Sequence, residues 1–380
     1  MHMCNFCCTF ALVKTITTCM SNRLERDSNA ELLRIICIFI ILLHHFCVHA
    51  LYPEVLQLNM SGYSWDSHLL LLCHAFLYIG VNCFILISGW YGIKPKWRSF
   101  INLYLIYAFY NLLSPCKHIV KAMLNGEGFV LPYSAHDIVM QTILPFSHGH
   151  LWFMSCYLGL FLAAPLLNAA VTYMNKQQHA YVLLLLTIAN VYFGNFQSMQ
   201  LINANGFTLA NFIYLYLIGS YLRNYLSIET IDKNRWRIFG IYCTCGLLWG
   251  VFSMMEAYHL HVPFWHAFTY NNPVLLLTSI FFFLFMMSWH FKSKFVNYIA
   301  ASMLGIYMLN EGVAIYGNIA PYAHHFTPVV QLAFWFALSI AFFIAGLCVD
   351  QIRIILTKPF WSIYERYLEN KGTAFFKRFI

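Results

Sequence analysis

The residues best placed to do chemistry lie in one apolar stretch, Asn29 to Tyr52, NAELLRIICIFIILLHHFCVHALY. The stretch is apolar enough to cross a bilayer, yet it carries Glu31, Arg34, His44, His45 and His49. Ionisable groups are expensive inside a membrane, so a span that holds several marks a functional site. Arg34 and His45 are eleven residues apart, about three helical turns at ~3.6 residues per turn. They therefore share a face, roughly 16 Å apart along the axis at ~1.5 Å per residue. Glu31 and His49 fall within about 60° of that line, and His44 points about 80° away. A guanidinium near one end suits a phosphate or pyrophosphate, which it binds with two parallel hydrogen bonds. An imidazole further along can act as general base on a hydroxyl. The structural alternatives are an Arg34–Glu31 ion pair at i,i+3 and an interhelical hydrogen bond to His45.

The elements that must position these groups are helices in lipid. The chain is 61% hydrophobic and 9% charged over 380 residues, whereas a soluble domain is nearer a quarter charged. This excludes an ordinary soluble enzyme and predicts an all-α bundle of transmembrane helices. Runs near the span length of about 20 residues occur at 31–51, 69–89, 99–116, 151–173, 179–194, 207–222, 236–255, 273–290, 297–317 and 329–349. These ten predict a topology with both termini inside. Of the 22 basic residues, only Lys117, Lys121 and Arg34 then fall outside the cytoplasmic segments, as the positive-inside rule requires. The net charge of +8 is thus a topology signal and not a nucleic-acid footprint. Residues 1–24 are expected to form a loosely ordered tail, or an upstream extension with the functional start at Met20. Residues 25–355 form the transmembrane domain and 356–380 a basic cytoplasmic tail.

Other candidate groups follow along the chain. After the second span, Lys94, Lys96 and Arg98 cluster beside Trp97. They are topology determinants that meet anionic lipid, or a docking site for a polyphosphate donor. Gly80 and Gly89 permit close packing or a bend. Ser88 is expected to bond back to its own helix. His150 and Trp152 open the fourth span, and Pro165 lies deep within it. Asn310 and Glu311 fall inside the ninth span, where a buried carboxylate needs a partner. Asp350 and Arg353 are spaced for an i,i+3 pair. The outside loops are rich in Tyr, Trp, Asn and His, which suits a sugar or a polar lipid headgroup; the alternative is an interfacial aromatic belt. The pairs His148/His150, His259/His261 and His324/His325, and Cys4, Cys7 and Cys8, lack the partners of a zinc motif. No metal is expected. The cysteines inside apolar runs, such as Cys37 and Cys83, read as small hydrophobes. Neither a phosphate-binding glycine loop nor an internal repeat is present.

Four blocks carry a resemblance to membrane-bound acyltransferase family 3, whose members O-acylate bacterial surface glycans. Residues 26–45, RDSNAELLRIICIFIILLHH, resemble the family's opening, with Arg34 and His45 as its arginine and histidine. GVNCFILISGW at 80–90, HLWFMSCYLGLFLAAPLLN at 150–168 and LGIYMLNEGV at 304–313 are similar to later family blocks, in the same order. Two positions depart from it. Asn310 stands where many relatives have histidine, and Lys94, Lys96 and Arg98 replace an Arg-x-x-Arg.

The resemblance implies transfer of an acyl group, most simply acetyl, from cytoplasmic acyl-CoA to a sugar hydroxyl of a surface polysaccharide or its lipid-linked precursor. Acyl-CoA is then a substrate, and thioester-to-ester exchange needs no resident cofactor. On that reading His45 is the general base or acyl relay. Arg34, Lys94, Lys96 and Arg98 hold donor phosphates, and Glu31 orients Arg34. His150, Trp152 and Glu311 shape the acceptor side. The expected location is the bacterial cytoplasmic membrane. The competing class is a transporter or flippase for a lipid-linked glycan, which also requires intramembrane charge but tends to show internal repeats.

Overall fold

A computed structural model of the protein describes residues 27–46, 72–73, 75–129, 131, 133–144, 151–196, 204–259, 269–313 and 326–367. Among these residues there are helices and no strands. The N-terminal tail and His150 lie outside the described residues, as do His49, His148, His261, His324 and His325. The first helices are α1 (Ser28–Phe46), α2 (Gly80–Tyr91), α3 (Trp97–Leu113), α4 (Cys116–Leu124) and α5 (Ala135–Ile143). Next come α6 (Trp152–Tyr173) and α7 (Lys176–Thr187), which runs on into a π-helical segment, Ile188–Phe196. They are followed by α8 (Leu209–Tyr225), α9 (Ile228–Lys233), α10 (Arg235–His259) and α11 (Pro273–Met287). The last are α12 (Lys294–Ala300), α13 (Met303–Val313) and α14 (Pro328–Tyr367).

Helix α1 is the hub. It packs on α2, α11, α12, α13 and α14. In its most apolar window 61% of residues are buried, against 17% for α14. Its first turn is tied down by polar bonds. Ser28 Oγ donates to Asn297 Oδ1 at 2.9 Å and accepts from the Ser293 amide at 2.8 Å. Asn29 Nδ2 donates to the Met287 carbonyl at 3.4 Å. Because an unpaired polar group costs free energy away from water, these bonds set the depth at which Glu31 and Arg34 sit.

A close helix crossing joins α2 and α8. A Cβ on Gly89 would collide with the Tyr216 carbonyl, and one on Gly219 with the Leu86 carbonyl. Small residues let backbones approach where no hydrophobic drive separates helix from lipid. A second anchor holds α14 to the bundle. Asp350 is fully buried and Arg353 is 5% exposed. Arg353 Nε and Nη2 reach the two carboxylate oxygens at 2.7 and 3.2 Å, and the Tyr110 hydroxyl donates to Oδ1 at 3.0 Å. Gly305 on α13 leaves the space that this carboxylate fills.

The outer surface is apolar. Leu166, Leu248, Leu356 and Ile355 are among many large hydrophobic residues that are more than half exposed. A surface of this kind fits a lipid solvent and would be a liability in water. Among the described residues, four helices are long and apolar enough to cross a membrane: α1, α6, the Arg235–Met255 part of α10 and the Val329–Glu365 part of α14. Two shorter apolar helices, Ala75–Tyr91 and Pro273–Met287, lie between them in the chain. Helix α14 continues unbroken to Tyr367.

Candidate active site

At the Ser28 end of α1, Arg34 Nη1 is 2.6 Å from Glu31 Oε1. The carboxylate is nearly buried and the guanidinium about a quarter exposed. The i,i+3 pair exists, and it leaves part of Arg34 facing a cavity of ≈ 870 Å³. Glu31, Arg34, Lys94 and Arg98 all line this cavity. The helix places the first two. The loop after α2 places Lys94, and its backbone is clamped on both sides. Ile93 N–H donates to the Tyr216 hydroxyl at 3.0 Å, and the Ile93 carbonyl accepts from Asn168 Nδ2 at 2.9 Å. Tyr216 in turn donates to Asn168 Oδ1 at 2.5 Å. Gly92 supplies the positive φ of 70° that turns the chain there. Lys96 is exposed at the N-cap of α3 and does not line the cavity. Three of the four basic residues singled out from the sequence therefore converge, and one does not.

Towards the Phe46 end of α1 lies the second cluster. One edge of the His45 ring meets Asn310, with Nδ1 2.5 Å from Asn310 Nδ2. The other edge faces Glu311, with Nε2 3.5 Å from Oε1. Two successive residues of α13 thus address both ring nitrogens. With Nδ2 donating, Nδ1 accepts and the ring proton sits on Nε2, towards Glu311. Turning the amide over reverses both, and Nε2 then offers a lone pair.

His44 points elsewhere, as the helix arithmetic requires. It packs edge-on against Tyr78 at 4.8 Å. Tyr78 stacks on Tyr270 at 4.6 Å, and Tyr270 lies 5.7 Å from Trp152. Trp152 also meets Phe207 at 4.5 Å. Glu311 is close enough to Tyr270 for an electrostatic interaction. Trp152, Tyr270 and Glu311 therefore belong to one neighbourhood beside His45. Asn82 fixes the Tyr270 backbone through a 3.0 Å bond from Nδ2 to its carbonyl.

Between the two clusters the wall is aromatic. Tyr157 lines the cavity, lies 3.3 Å from Ser88 Oγ and stacks on Phe153, which meets Tyr307 on α13. Ser88 also donates to the Phe84 carbonyl at 3.2 Å, the back-bond expected of it. Sequence reasoning did not single out Tyr78, Tyr157, Tyr270 or Trp361. Each is one aromatic among many, and nothing local distinguishes it. Among the described residues, no three His, Cys, Asp or Glu side chains group as a metal site would require.

The arrangement can bind an anion at one end of a helix and move a proton at the other. The acyltransferase domain model of acyltransferase family 3 matches residues 27–350. Searches of curated proteins and of solved structures return no match. The matched span begins before the Glu31–Arg34 pair and ends at Asp350, so it takes in Arg34, Lys94, Arg98, His45, Asn310 and Glu311 and stops short of Arg353. With its apolar helices this is a membrane protein, and the chain belongs to acyltransferase family 3.

Proposed function

We propose that the protein transfers an acyl group, most simply acetyl, from cytoplasmic acyl-CoA to a sugar hydroxyl of a cell-surface polysaccharide or its lipid-linked precursor. The observation that carries this reading is the pairing of two sites on α1. A cavity lined by Arg34, Lys94 and Arg98 lies at one end. His45, held by Asn310 and beside Glu311, lies about three turns away. Among the described residues each of the ten apolar intervals contains helix, in keeping with a bundle of about ten spans, and the clustering of basic residues on one side favours both termini inside. In that orientation the cavity opens to the cytoplasm and the Trp152–Tyr270 cluster faces the opposite leaflet, as a bacterial inner-membrane enzyme requires.

In this reading Arg34, Lys94 and Arg98 hold the donor's phosphates, and Glu31 keeps Arg34 oriented. The thioester arm then runs along α1 towards His45. His45 Nε2 takes the proton from the sugar hydroxyl as its oxygen attacks the thioester carbonyl. The carbon–sulfur bond breaks, and the departing thiolate takes up a proton. Asn310 Oδ1 accepts from Nδ1–H during this step, which puts the ring's lone pair on Nε2. Glu311 offsets the positive charge that the ring gains. Positioning and charge stabilisation supply the rate, and no metal is called for.

The test is incubation of membranes holding the protein with labelled acetyl-CoA and the glycan acceptor, for the wild type, His45→Ala and Arg34→Ala. Label should enter the glycan with the wild type, fail to enter with His45→Ala, and enter far more slowly with Arg34→Ala at low acetyl-CoA. Full activity in either variant, at equal protein level, would remove the central assignment. Glycan movement without label would favour a flippase.

A further inference from the structure

One wall of the donor cavity comes from far along the chain. Trp361 of α14 lines it, together with Arg34, Lys94 and Arg98. Helix α14 has 40 residues, or about 60 Å at ~1.5 Å per residue. That is twice the ~30 Å of a hydrocarbon core, so a crossing by this helix leaves about half of its length outside the core. The end that carries Trp361 meets the first turn of α3. The Arg98 guanidinium lies 5.3 Å from the centre of the Trp361 ring, and Arg98 Nη2 is 2.7 Å from Glu365 Oε1. The indole is held from behind by Tyr364, whose ring is buried and meets it edge-on at 5.5 Å.

We propose that Trp361 is the stacking wall for the nucleobase of the donor, and that Glu365 occupies the Arg98 guanidinium until a donor phosphate displaces it. The proposal rests on the reading of this cavity as the acyl-CoA site. A planar ring beside three cationic side chains matches a planar base joined to phosphates. A bare anion or a lipid headgroup would use the cations and have no need of the indole. A carboxylate on an arginine presents the same charged acceptor oxygens that a phosphate would present. Arg98 and Glu365 are each about half exposed, so their pair is weak and open to exchange.

The experiment is a binding titration of the purified full chain with coenzyme A and, separately, with pantetheine, which lacks the nucleotide. Trp361→Ala should weaken coenzyme A binding roughly tenfold, the scale of one base stacked on one aromatic ring. Trp361→Phe should keep most of the affinity, and neither variant should change pantetheine binding. Glu365→Gln should tighten coenzyme A binding by up to roughly fivefold, the scale of an exposed ion pair. If the wild type binds coenzyme A and Trp361→Ala binds it equally well, the stacking wall falls and the donor cavity stands. Equal losses for coenzyme A and pantetheine in Trp361→Ala would make Trp361 structural and overturn the proposal. Unchanged or weaker binding in Glu365→Gln would overturn the displacement. If the wild type binds no coenzyme A, the donor assignment itself falls.

Discussion

Replacing Asn310 tests how His45 is held. Asn310 is 1% exposed, and its amide lies 2.5 Å from His45 Nδ1. Asn310→Ala removes that partner and leaves Nδ1 desolvated without it. A buried polar group that loses its partner costs about 1–3 kcal/mol. If that cost falls on the orientation of the ring in the transition state, kcat drops by roughly 5- to 150-fold at ~1.4 kcal/mol per factor of ten. The donor KM should not move, because the cavity is about 16 Å away along α1. Asn310→Asp separates the two proton arrangements. An ionised carboxylate can only accept, so it supports the form with the proton on Nδ1 and a lone pair on Nε2. Asn310→Asp should therefore retain much more activity than Asn310→Ala. The assay is steady-state acetyl transfer with varied acetyl-CoA, at matched amounts of inserted protein. Wild-type kcat in Asn310→Ala refutes the orientation argument. Activity in Asn310→Ala above that of Asn310→Asp refutes the assignment of the proton.

Three further outcomes follow from the same structure. Arg34→Ala and Lys94→Ala should each raise the KM for acetyl-CoA by roughly 10- to 150-fold, the worth of one hydrogen bond to a charged group at about 1.5–3 kcal/mol; Lys96→Ala should leave it within about twofold, and an equal effect of all three would place the phosphates outside the cavity. Asp350→Ala strands a 5% exposed guanidinium and should lower stability by about 3–5 kcal/mol, read as a lower melting temperature in detergent. Asp350→Ala combined with Arg353→Met should recover much of that loss, and no recovery would mean that α14 is anchored by other contacts. Gly89→Ala drives a methyl into the Tyr216 carbonyl and should cost about 1–3 kcal/mol as overpacking; a melting temperature equal to the wild type would show that α2 and α8 can separate freely.

Much of the chemistry of α1 was legible in the sequence because it is local. Helix periodicity alone puts Arg34 and His45 on one face and turns His44 away. It also places Glu31 beside Arg34 and Asp350 beside Arg353, and both pairs are formed. The Ser88 back-bond is equally local. What the sequence could not assign was which helix meets which. Helices in lipid are apolar all round, so their sequences carry little sign of which face turns inward. Only the tertiary structure brings Asn310 and Glu311, some 265 residues away, onto the two edges of His45. It likewise carries Lys94 into the cavity while Lys96, two residues on, stays outside, because the Tyr216–Asn168 clamp decides the path of that loop. It also sets Trp361 against Arg98, on a helix whose Asp350 is buried against Gly305 of α13. Spacing along one helix determined the chemical groups; close glycine crossings and buried polar anchors between helices decided how those groups meet.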